Sequence, residues 1–399
     1  MHDMQRGIYL DNAATTPLDP RVREAMRPYL EEIHGNPSSL HWAGRQAREA
    51  VSKARAQVAD LLHAKPDEII FTASGTESSN LALVGVCEAA GVAGGHVVTS
   101  VIEHPAVLET CRYLESRGVA VTRLGVSREG IVDPNELRQA LRRPAWIVSV
   151  MMANNVAGTL QPVNELGRIA HEHGALFHTD AVQTAGKIPI DVSAQPIDLL
   201  SLSAHKLYGP KGVGALYVRT GVQLAPFVHG GGQERGLRSA TENVAGIVGL
   251  GCAAEIAAAS RADETARTVR LRDRLIDAVL KLAPRAYLIG HRYQRLPGNV
   301  CLGFAGLEGD AMKLLLALDA AGIAASTGSA CSANHGAAPS YILQAMGYDV
   351  FQARGSLRVT LGRFNTEADV DEFVRVLPEA LGSLSPLTTF ATGMAMEGR

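Results

Sequence analysis

Helical patterns and short apolar runs alternate along the chain from about residue 45 to 260. Apolar residues at helical spacing predict helices at 46–62, 76–90, 107–116 and 166–173. Continuous apolar or β-branched runs predict strands at 68–72, 96–101, 119–124, 146–151, 175–178 and 197–202. Strands that alternate with helices form βα units, so we predict an α/β fold whose mostly parallel sheet carries helices on both faces.

A second unit follows a helical pattern at 270–282. Its predicted strands are 299–304 and 357–361, and its predicted helices are 309–320 and 368–377. The pattern fades over 388–399, and no internal repeat or low-complexity linker separates the two units.

Composition excludes several classes of function. The 399 residues are 46% hydrophobic and 20% charged, which is ordinary for a globular protein. The net charge of -2 and the 5% aromatic content give no case for nucleic acid or an anionic membrane as a partner. No uncharged apolar run is long enough to span a bilayer, and the N-terminus lacks a signal-peptide core. We expect a cytoplasmic enzyme.

Cysteine usage points to one reactive thiol. The five cysteines have no CxxC spacing, which argues against a disulfide framework and a zinc site, so no metal site is predicted. Cys87, Cys111, Cys252 and Cys301 lie among apolar or helix-forming neighbours. Cys331 instead lies among small residues at 326–336, where a thiol can be exposed and mobile. The alternative is an incidental loop cysteine.

Lys206 is the leading candidate for covalent chemistry. It follows the apolar run at 197–202 and precedes the turn at Gly209-Pro210, in a chain that takes most of its positive charge from arginine. A partly desolvated amine at a rigid strand end can form a Schiff base, which suggests a lysine that holds pyridoxal phosphate. The alternative is a lysine that simply ends a strand.

Other polar residues stand where predicted strands end, which is where open α/β sheets bind ligands. Gly75 and Thr76 open a helix and offer backbone N–H groups to a phosphate. Asp180 has the chemistry to pair with a protonated pyridine nitrogen, Gln183 to reach the ring oxygen, and His104 to stack on the ring. Helix capping, a surface aspartate and a histidine bonded to backbone are the respective alternatives.

Two further residues suit a substrate carboxylate. Asn155 follows the strand-like run at 146–151, although asparagine is also common in turns. Arg358 lies among apolar residues at 357–361, and a guanidinium there needs an anionic partner such as an α-carboxylate.

These residues fall within motifs that resemble one family. The motifs are Tyr9-Leu10-Asp11-Asn12-Ala13-Ala14-Thr15-Thr16, Glu103-His104-Pro105-Ala106-Val107-Leu108, Phe177-His178-Thr179-Asp180-Ala181-Val182-Gln183, Ser203-Ala204-His205-Lys206, Gly328-Ser329-Ala330-Cys331 and Arg358-Val359-Thr360-Leu361-Gly362-Arg363-Phe364. Over nearly its whole length the chain resembles cysteine desulfurases of the NifS/IscS type, pyridoxal-phosphate enzymes of the class V aminotransferase group. The cysteine motif is the most specific, because ordinary class V aminotransferases lack it.

The resemblance implies a role for each site residue. Lys206 would carry pyridoxal phosphate, Asp180 would hold its pyridine nitrogen, His104 would stack on it, and Cys331 would take sulfur from L-cysteine as a persulfide. Gln183 and Asn155 would contact the ring oxygen and the substrate, and Arg358 the substrate carboxylate. Phosphate contacts would come from Gly75, Thr76, Ser203 and His205, and from Thr241 of a second subunit, which implies a homodimer.

The implied fold is that of fold type I pyridoxal-phosphate-dependent transferases. A large domain over 15–260 would hold the cofactor, and residues 1–14 and 261–399 would form a smaller α/β domain with the cysteine loop. The implied acceptor is an iron–sulfur scaffold protein or another sulfur acceptor, and the motif wording is somewhat nearer the nitrogen-fixation branch. A class V aminotransferase, a selenocysteine lyase and a non-catalytic scaffold in a sulfur-transfer complex are the alternatives.

Three departures from the family pattern stand out. Val156 occupies a position where the family usually has glutamate, Ala204 one where it usually has glycine, and residues 332–339 differ from the usual wording after the cysteine. The first two bear on the shape of the pocket, and the third on the choice of acceptor.

Overall fold

The computed structural model describes residues 7–307, 311–328, 339–382 and 384. In chain order its strands and α-helices are β1 (Ile8–Tyr9), α1 (Pro20–Glu31), α2 (Trp42–Leu62), β2 (Ile69–Thr72), α3 (Gly75–Ala89), β3 (His96–Ser100), α4 (Pro105–Ser116), β4 (Ala120–Leu124), α5 (Pro134–Ala140), β5 (Ile147–Ser149), α6 (Val163–Glu172), β6 (Leu176–Asp180), β7 (Leu199–Ser203), β8 (Gly214–Val218), α7 (Val244–Leu282), β9 (Ala286–Ile289), β10 (Asn299–Phe304), α8 (Ala311–Ala320), β11 (Ile323–Ala324), β12 (Ser326–Thr327), α9 (Tyr341–Ala345), α10 (Val350–Arg354), β13 (Leu357–Thr360) and α11 (Glu367–Gly382). The predicted α/β class is confirmed.

The large sheet brings the ends of many strands to one edge. Its order is β2-β8-β7-β6-β5-β3-β4, in which β8 runs antiparallel to both of its neighbours and all other pairs are parallel. The carboxyl ends of β2, β3, β5, β6 and β7 therefore meet at the same edge. This is the edge where the sequence places its polar candidates.

Helices cover both faces of this sheet because its strands are apolar on both faces. Side chains alternate between faces along a strand. Leu199 accordingly packs with α3 and α4, whereas Leu200 packs with α2 and α7. Ile147 and Val148 on β5 divide between the same two clusters.

A separate hydrophobic cluster forms around the antiparallel sheet β12-β13-β10-β9. It joins α8, α11 and the second half of α7, and Leu10 from the N-terminal segment packs into it. β1 pairs in parallel with β11 in a separate two-stranded sheet, whose Ile8 and Ile323 also pack with this cluster. The domain boundaries at 14/15 and 260/261 stay a prediction, since α7 runs through the second without a break.

The predicted helix at 270–282 is confirmed over that range and at its end, but its predicted start is wrong. α7 begins at Val244, where the Asn243 side chain caps it by accepting from the Gly246 amide at 3.1 Å. Three glycines in the first turns weaken the helical pattern, but two of them allow close packing. A Cβ on Gly249 would lie 2.7 Å from Met26 Sδ, and one on Gly251 would lie 2.6 Å from the Cα of Ala54.

By its length and composition alone, α7 is also long and apolar enough to cross a membrane. Its Ile247, Leu250 and Ala254 are buried in the cluster beneath the large sheet, and its Leu271 and Leu275 are buried in the second cluster. This packing is that of a core helix.

Candidate active site

A cavity of about 330 Å³ lies at the carboxyl edge of the large sheet. It is large enough for a small cofactor. The sequence candidates that line it are Gly75, Thr76, His104, Asn155, Asp180, Gln183, Ser203, His205, Lys206 and Arg358. The structure therefore brings together residues from five strand ends and from β13.

Lys206 ends a single 3-10 turn, Ala204–Lys206, that directly follows β7. Its Nζ donates to the backbone carbonyls of Ala13 at 2.5 Å and Ala14 at 2.7 Å. Gln183 Nε2 donates to the same Ala13 carbonyl at 2.9 Å. The N-terminal segment thus crosses the cavity beside the lysine. Main-chain carbonyls carry no residue signature, which is why the sequence did not reveal them.

Asp180 is the last residue of β6, and it is 8% exposed. Its Oδ1 accepts from the Val182 amide at 2.8 Å. Burial raises the pKa of this carboxyl, and the neighbouring His104 opposes that shift. A carboxylate in such a place is stabilised by a nearby cation, which a protonated pyridine nitrogen would supply.

His104 lines the cavity and also caps a helix. Its Nδ1 accepts from the Ala106 amide at 3.1 Å, at the start of α4. Burial lowers its pKa, so the neutral ring is favoured. The bond to backbone and the position beside the cavity therefore occur together, and the cap fixes the ring beside Asp180.

The start of α3 forms the other end of the cavity. Ser74 Oγ caps the helix by accepting from the Glu77 amide at 3.1 Å, and Gly75 and Thr76 follow it. A Cβ on Gly75 would lie 2.6 Å from Cγ2 of Val182, which also lines the cavity, so a larger residue here would displace Val182. Free N–H groups and the helix dipole at such a terminus favour a phosphate.

His205 lies next to Lys206. Its ring contacts Thr15 Oγ1 at 3.1 Å, and burial is the main cause that lowers its pKa to about 4. The imidazole is therefore neutral at pH 7, and any interaction it makes with a phosphate is that of a neutral hydrogen-bonding group.

The side of the cavity formed by β13 carries unsatisfied polar atoms. Arg358 is 2% exposed and Asn155 is 7% exposed, and among the described residues neither Arg358 Nε nor Asn155 Oδ1 has a hydrogen-bond partner. Unpaired buried polar atoms are costly, so they indicate a missing partner. For Arg358 Nε that partner must be an acceptor, as a substrate carboxylate is.

The residues present fit pyridoxal phosphate with its amino-acid substrate. The cavity offers an amine at Lys206, a buried carboxylate at Asp180, a helix N-terminus at Gly75 and the guanidinium of Arg358. Within the described ranges, no group of three or more His, Cys, Asp or Glu side chains could hold a metal ion.

Among the predicted site residues that the structure describes, Thr241 alone lies away from the cavity. Cys331 lies outside the described residues. Thr241 is exposed and does not line the cavity of its own chain. Its predicted role needs a second subunit.

Sequence reasoning missed Asp11 and Glu103. Asp11 Oδ1 accepts from Arg358 Nη2 at 2.8 Å. Glu103 is fully buried beside His104, where it accepts from the Met151 amide at 2.9 Å. Both residues stand inside the motifs quoted above, but their partners are distant in sequence.

Comparisons with known proteins agree with this geometry. The family model described as aminotransferase class V matches residues 8–373. Two curated relatives named cysteine desulfurase IscS are similar to the chain. The protein from Dictyoglomus turgidum is 49% identical over 96% of this chain and 97% of its own length. The protein from Methanosarcina thermophila is 50% identical over 96% and 95%.

Solved structures give the same relation. A structure named NifS-like protein superposes with a TM-score of 0.88 at 40% identity, and the match covers 95% of this chain and all of that one. The apo cysteine desulfurase from Thermococcus onnurineus has a TM-score of 0.84 at 26% identity and covers 95% of each chain. The chain belongs to the aminotransferase class V family and, within it, to the cysteine desulfurases of the NifS/IscS type.

Proposed function

We propose that this protein converts L-cysteine to L-alanine with pyridoxal phosphate held in the cavity, and that it passes the sulfur on through Cys331. The observation that carries the proposal is the convergence of Lys206, Asp180 and Arg358 on one cavity at the sheet edge. When bound there, pyridoxal phosphate supplies an electron sink for the substrate carbon next to the amine.

Each residue has a defined task in this proposal. Lys206 holds the cofactor covalently and afterwards moves a proton at the substrate Cα, since its amine lies at a fixed strand end. Asp180 holds the positive charge of the pyridine nitrogen. His104 covers the ring, and Arg358 and Asn155 bind the substrate so that its Cα faces the lysine.

Sulfur transfer belongs to Cys331. Its thiolate attacks the substrate sulfur, the Cβ–S bond breaks, and its electron pair stays with the carbon, which takes up a proton and leaves as alanine. Cys331 keeps the sulfur as a persulfide. One cysteine and one thiol therefore give one alanine and one persulfide, without an external oxidant.

The partners follow from this chemistry. A persulfide within the small-residue stretch at 326–336 suits transfer to a protein acceptor, and we propose an iron–sulfur scaffold as that acceptor in the cytoplasm. Supply to nitrogenase maturation stays a prediction. We also propose a homodimer, in which Thr241 of each chain reaches the phosphate of the other.

The direct test is the production of alanine and sulfide from L-cysteine by the purified protein in the presence of a thiol reductant. We expect equal amounts of the two products, and no products from Lys206→Ala. Lys211→Ala is the control, since Lys211 lies five positions on in the same segment but does not line the cavity.

Borohydride reduction of the isolated protein separates covalent attachment from turnover. Peptide mapping should find the pyridoxyl group on Lys206. A group on Lys211 or on no lysine, together with an absence of sulfide, would contradict the proposal.

A further inference from the structure

The guanidinium of Arg358 already has an anionic partner within its own chain. Its Nη2 donates to Asp11 Oδ1 at 2.8 Å, and its Nη1 donates to the backbone carbonyl of Asn155 at 3.3 Å. The buried Nε has no hydrogen-bond partner within the part of the chain that the structure describes. Arg358 lines the cavity, whereas Asp11 does not. The carboxylate of Asp11 therefore touches the arginine without being among the residues that line the binding space.

The backbone of Asp11 pairs with β13, the strand that carries Arg358. It pairs with Thr360 in an isolated parallel bridge, two positions beyond Arg358 on β13. Asn12 Nδ2 donates to the Thr360 carbonyl at 2.7 Å, and Tyr9 Oη donates to the Asp11 carbonyl at 3.0 Å. These bonds hold the backbone of Asp11 beside β13, which places its carboxylate next to the guanidinium.

The pair changes what the cavity offers to an anion. The Arg358 side chain is 2% exposed and that of Asp11 is 19% exposed, so water screens their interaction only in part. Asp11 offsets much of the arginine charge. Arg358 still presents its Nε and the planar donor geometry of the guanidinium to a ligand. The net positive charge of the Arg358–Asp11 pair is lower than that of an isolated arginine.

We infer that Asp11 is a positioning residue that fixes the Arg358 guanidinium and limits its charge, so that the cavity favours amino acids whose only fixed negative group is the α-carboxylate. This inference rests on the proposed function and concerns its substrate class. A substrate with a second acidic group would bring another negative charge near the Asp11–Arg358 pair, whose own charges already offset each other. Cysteine, whose side chain is a neutral thiol, avoids this repulsion.

The test uses two unreactive probes and the holoenzyme. 3-Mercaptopropionate has the thiol and carboxylate of cysteine but no amine, and mercaptosuccinate adds a second carboxylate to the same skeleton. Asp11→Asn removes the charge and keeps an oxygen that can accept from Nη2. Calorimetry should give a Kd for 3-mercaptopropionate that is about three- to tenfold lower in the variant, and a larger gain for mercaptosuccinate.

Controls separate charge from packing. Asp277→Asn removes an equal charge from an exposed pair with Arg292 at 2.9 Å and should leave both Kd values unchanged. Asp11→Glu keeps the charge and should stay closer to the wild-type protein than Asp11→Asn does. If Asp11→Asn does not fold, Asp11→Ser replaces it with the same expected sign.

Two outcomes overturn the inference: unchanged or weaker binding of 3-mercaptopropionate, or an equal gain for both probes. Either of these can occur while the wild-type protein still makes alanine from cysteine, in which case the inference fails and the proposed function stands. A wild-type protein that makes no alanine would instead count against the proposed function.

Discussion

The candidate site is made of single residues placed where strands end, and this is why so much of it could be predicted. Asp180 and Lys206 each follow an apolar run, so a polar side chain there has to lie at the sheet edge. The role of Asp11 was not predicted from the sequence because its partner Arg358 is 347 positions away. No local pattern reports a pair at that distance.

Asp180→Asn tests the pyridine partner. The amide keeps the size of the side chain but loses the negative charge that would stabilise a pyridinium. We expect turnover to fall on the order of 100-fold or more, while much of the cofactor stays bound. Steady-state alanine production and the cofactor content of the variant check this. Turnover close to the wild-type value would remove Asp180 from its proposed role.

Glu103 makes stability depend on pH. Burial raises its pKa to about 8, whereas an unfolded glutamate titrates near 4.3. Between these values the folded chain keeps a proton that the unfolded chain releases. Its stabilising contribution is therefore complete below the unfolded pKa and is lost as the pH rises through about 8.

Glu103→Gln should remove this dependence. The amide oxygen can still accept from Ser100 Oγ and the Met151 amide, as Oε1 does now. The measurement is the free energy of unfolding by denaturant at about pH 5 and about pH 8.5. Between these two pH values, the difference between variant and wild-type protein should shift in favour of the variant by roughly 3 kcal/mol. A constant difference across this range would mean that Glu103 is ionised in the folded protein.

At the scale of elements, several predicted strands match closely in their bounds, whereas β8 and β9 were not predicted. Strands β2, β3 and β10 fall within a residue or so of their predicted ends because they are continuous apolar runs. α1 was missed because only Val22 of its residues is buried, and it starts with Pro20 and contains Pro28. Its apolar residues Val22, Ala25, Met26, Tyr29 and Leu30 do keep helical spacing, but a proline inside this run argues against a helix.

Close helix packing gives a test at the same scale. Gly251 on α7 faces α2, where an added Cβ would lie 2.6 Å from the Cα of Ala54. Gly251→Ala should lower the free energy of unfolding by about 1–3 kcal/mol, although alanine is the better helix former. The control is Gly382→Ala at the end of α11, where an added Cβ would meet no heavy atom of the described residues within 4 Å and no loss is expected. Equal stability of the two variants would contradict this packing.

At the scale of the whole molecule, the departures Val156 and Ala204 fit inside the fold. Val156 is 2% exposed in a cluster with Ile102 and Leu343, and Ala204 is fully buried in the turn before Lys206. Neither residue lines the cavity. A cysteine desulfurase site is therefore compatible with both, although the family pattern has other residues there.

The proposed homodimer makes a prediction about mixed subunits. Lys206→Ala and Thr241→Ala should each impair turnover when assembled alone. After the two variants are unfolded and refolded together, mixed dimers carry one site with an intact Lys206 and an intact Thr241 from the other chain. Part of the activity should return, up to about a quarter of the wild-type value if chains assort at random and each dimer has two sites. No recovery in confirmed mixed dimers would place Thr241 outside the partner's site.

The central claim is that sulfur leaves cysteine as a persulfide on Cys331. The most direct measurement is peptide mass spectrometry after wild-type protein is treated with L-cysteine in the absence of reductant. We predict one extra sulfur atom on Cys331 and none on Cys87, Cys111, Cys252 or Cys301, of which all but the half-buried Cys252 are buried. Cys331→Ala should keep its cofactor and release no sulfide. Sulfide and alanine production by Cys331→Ala at the wild-type rate would contradict the account.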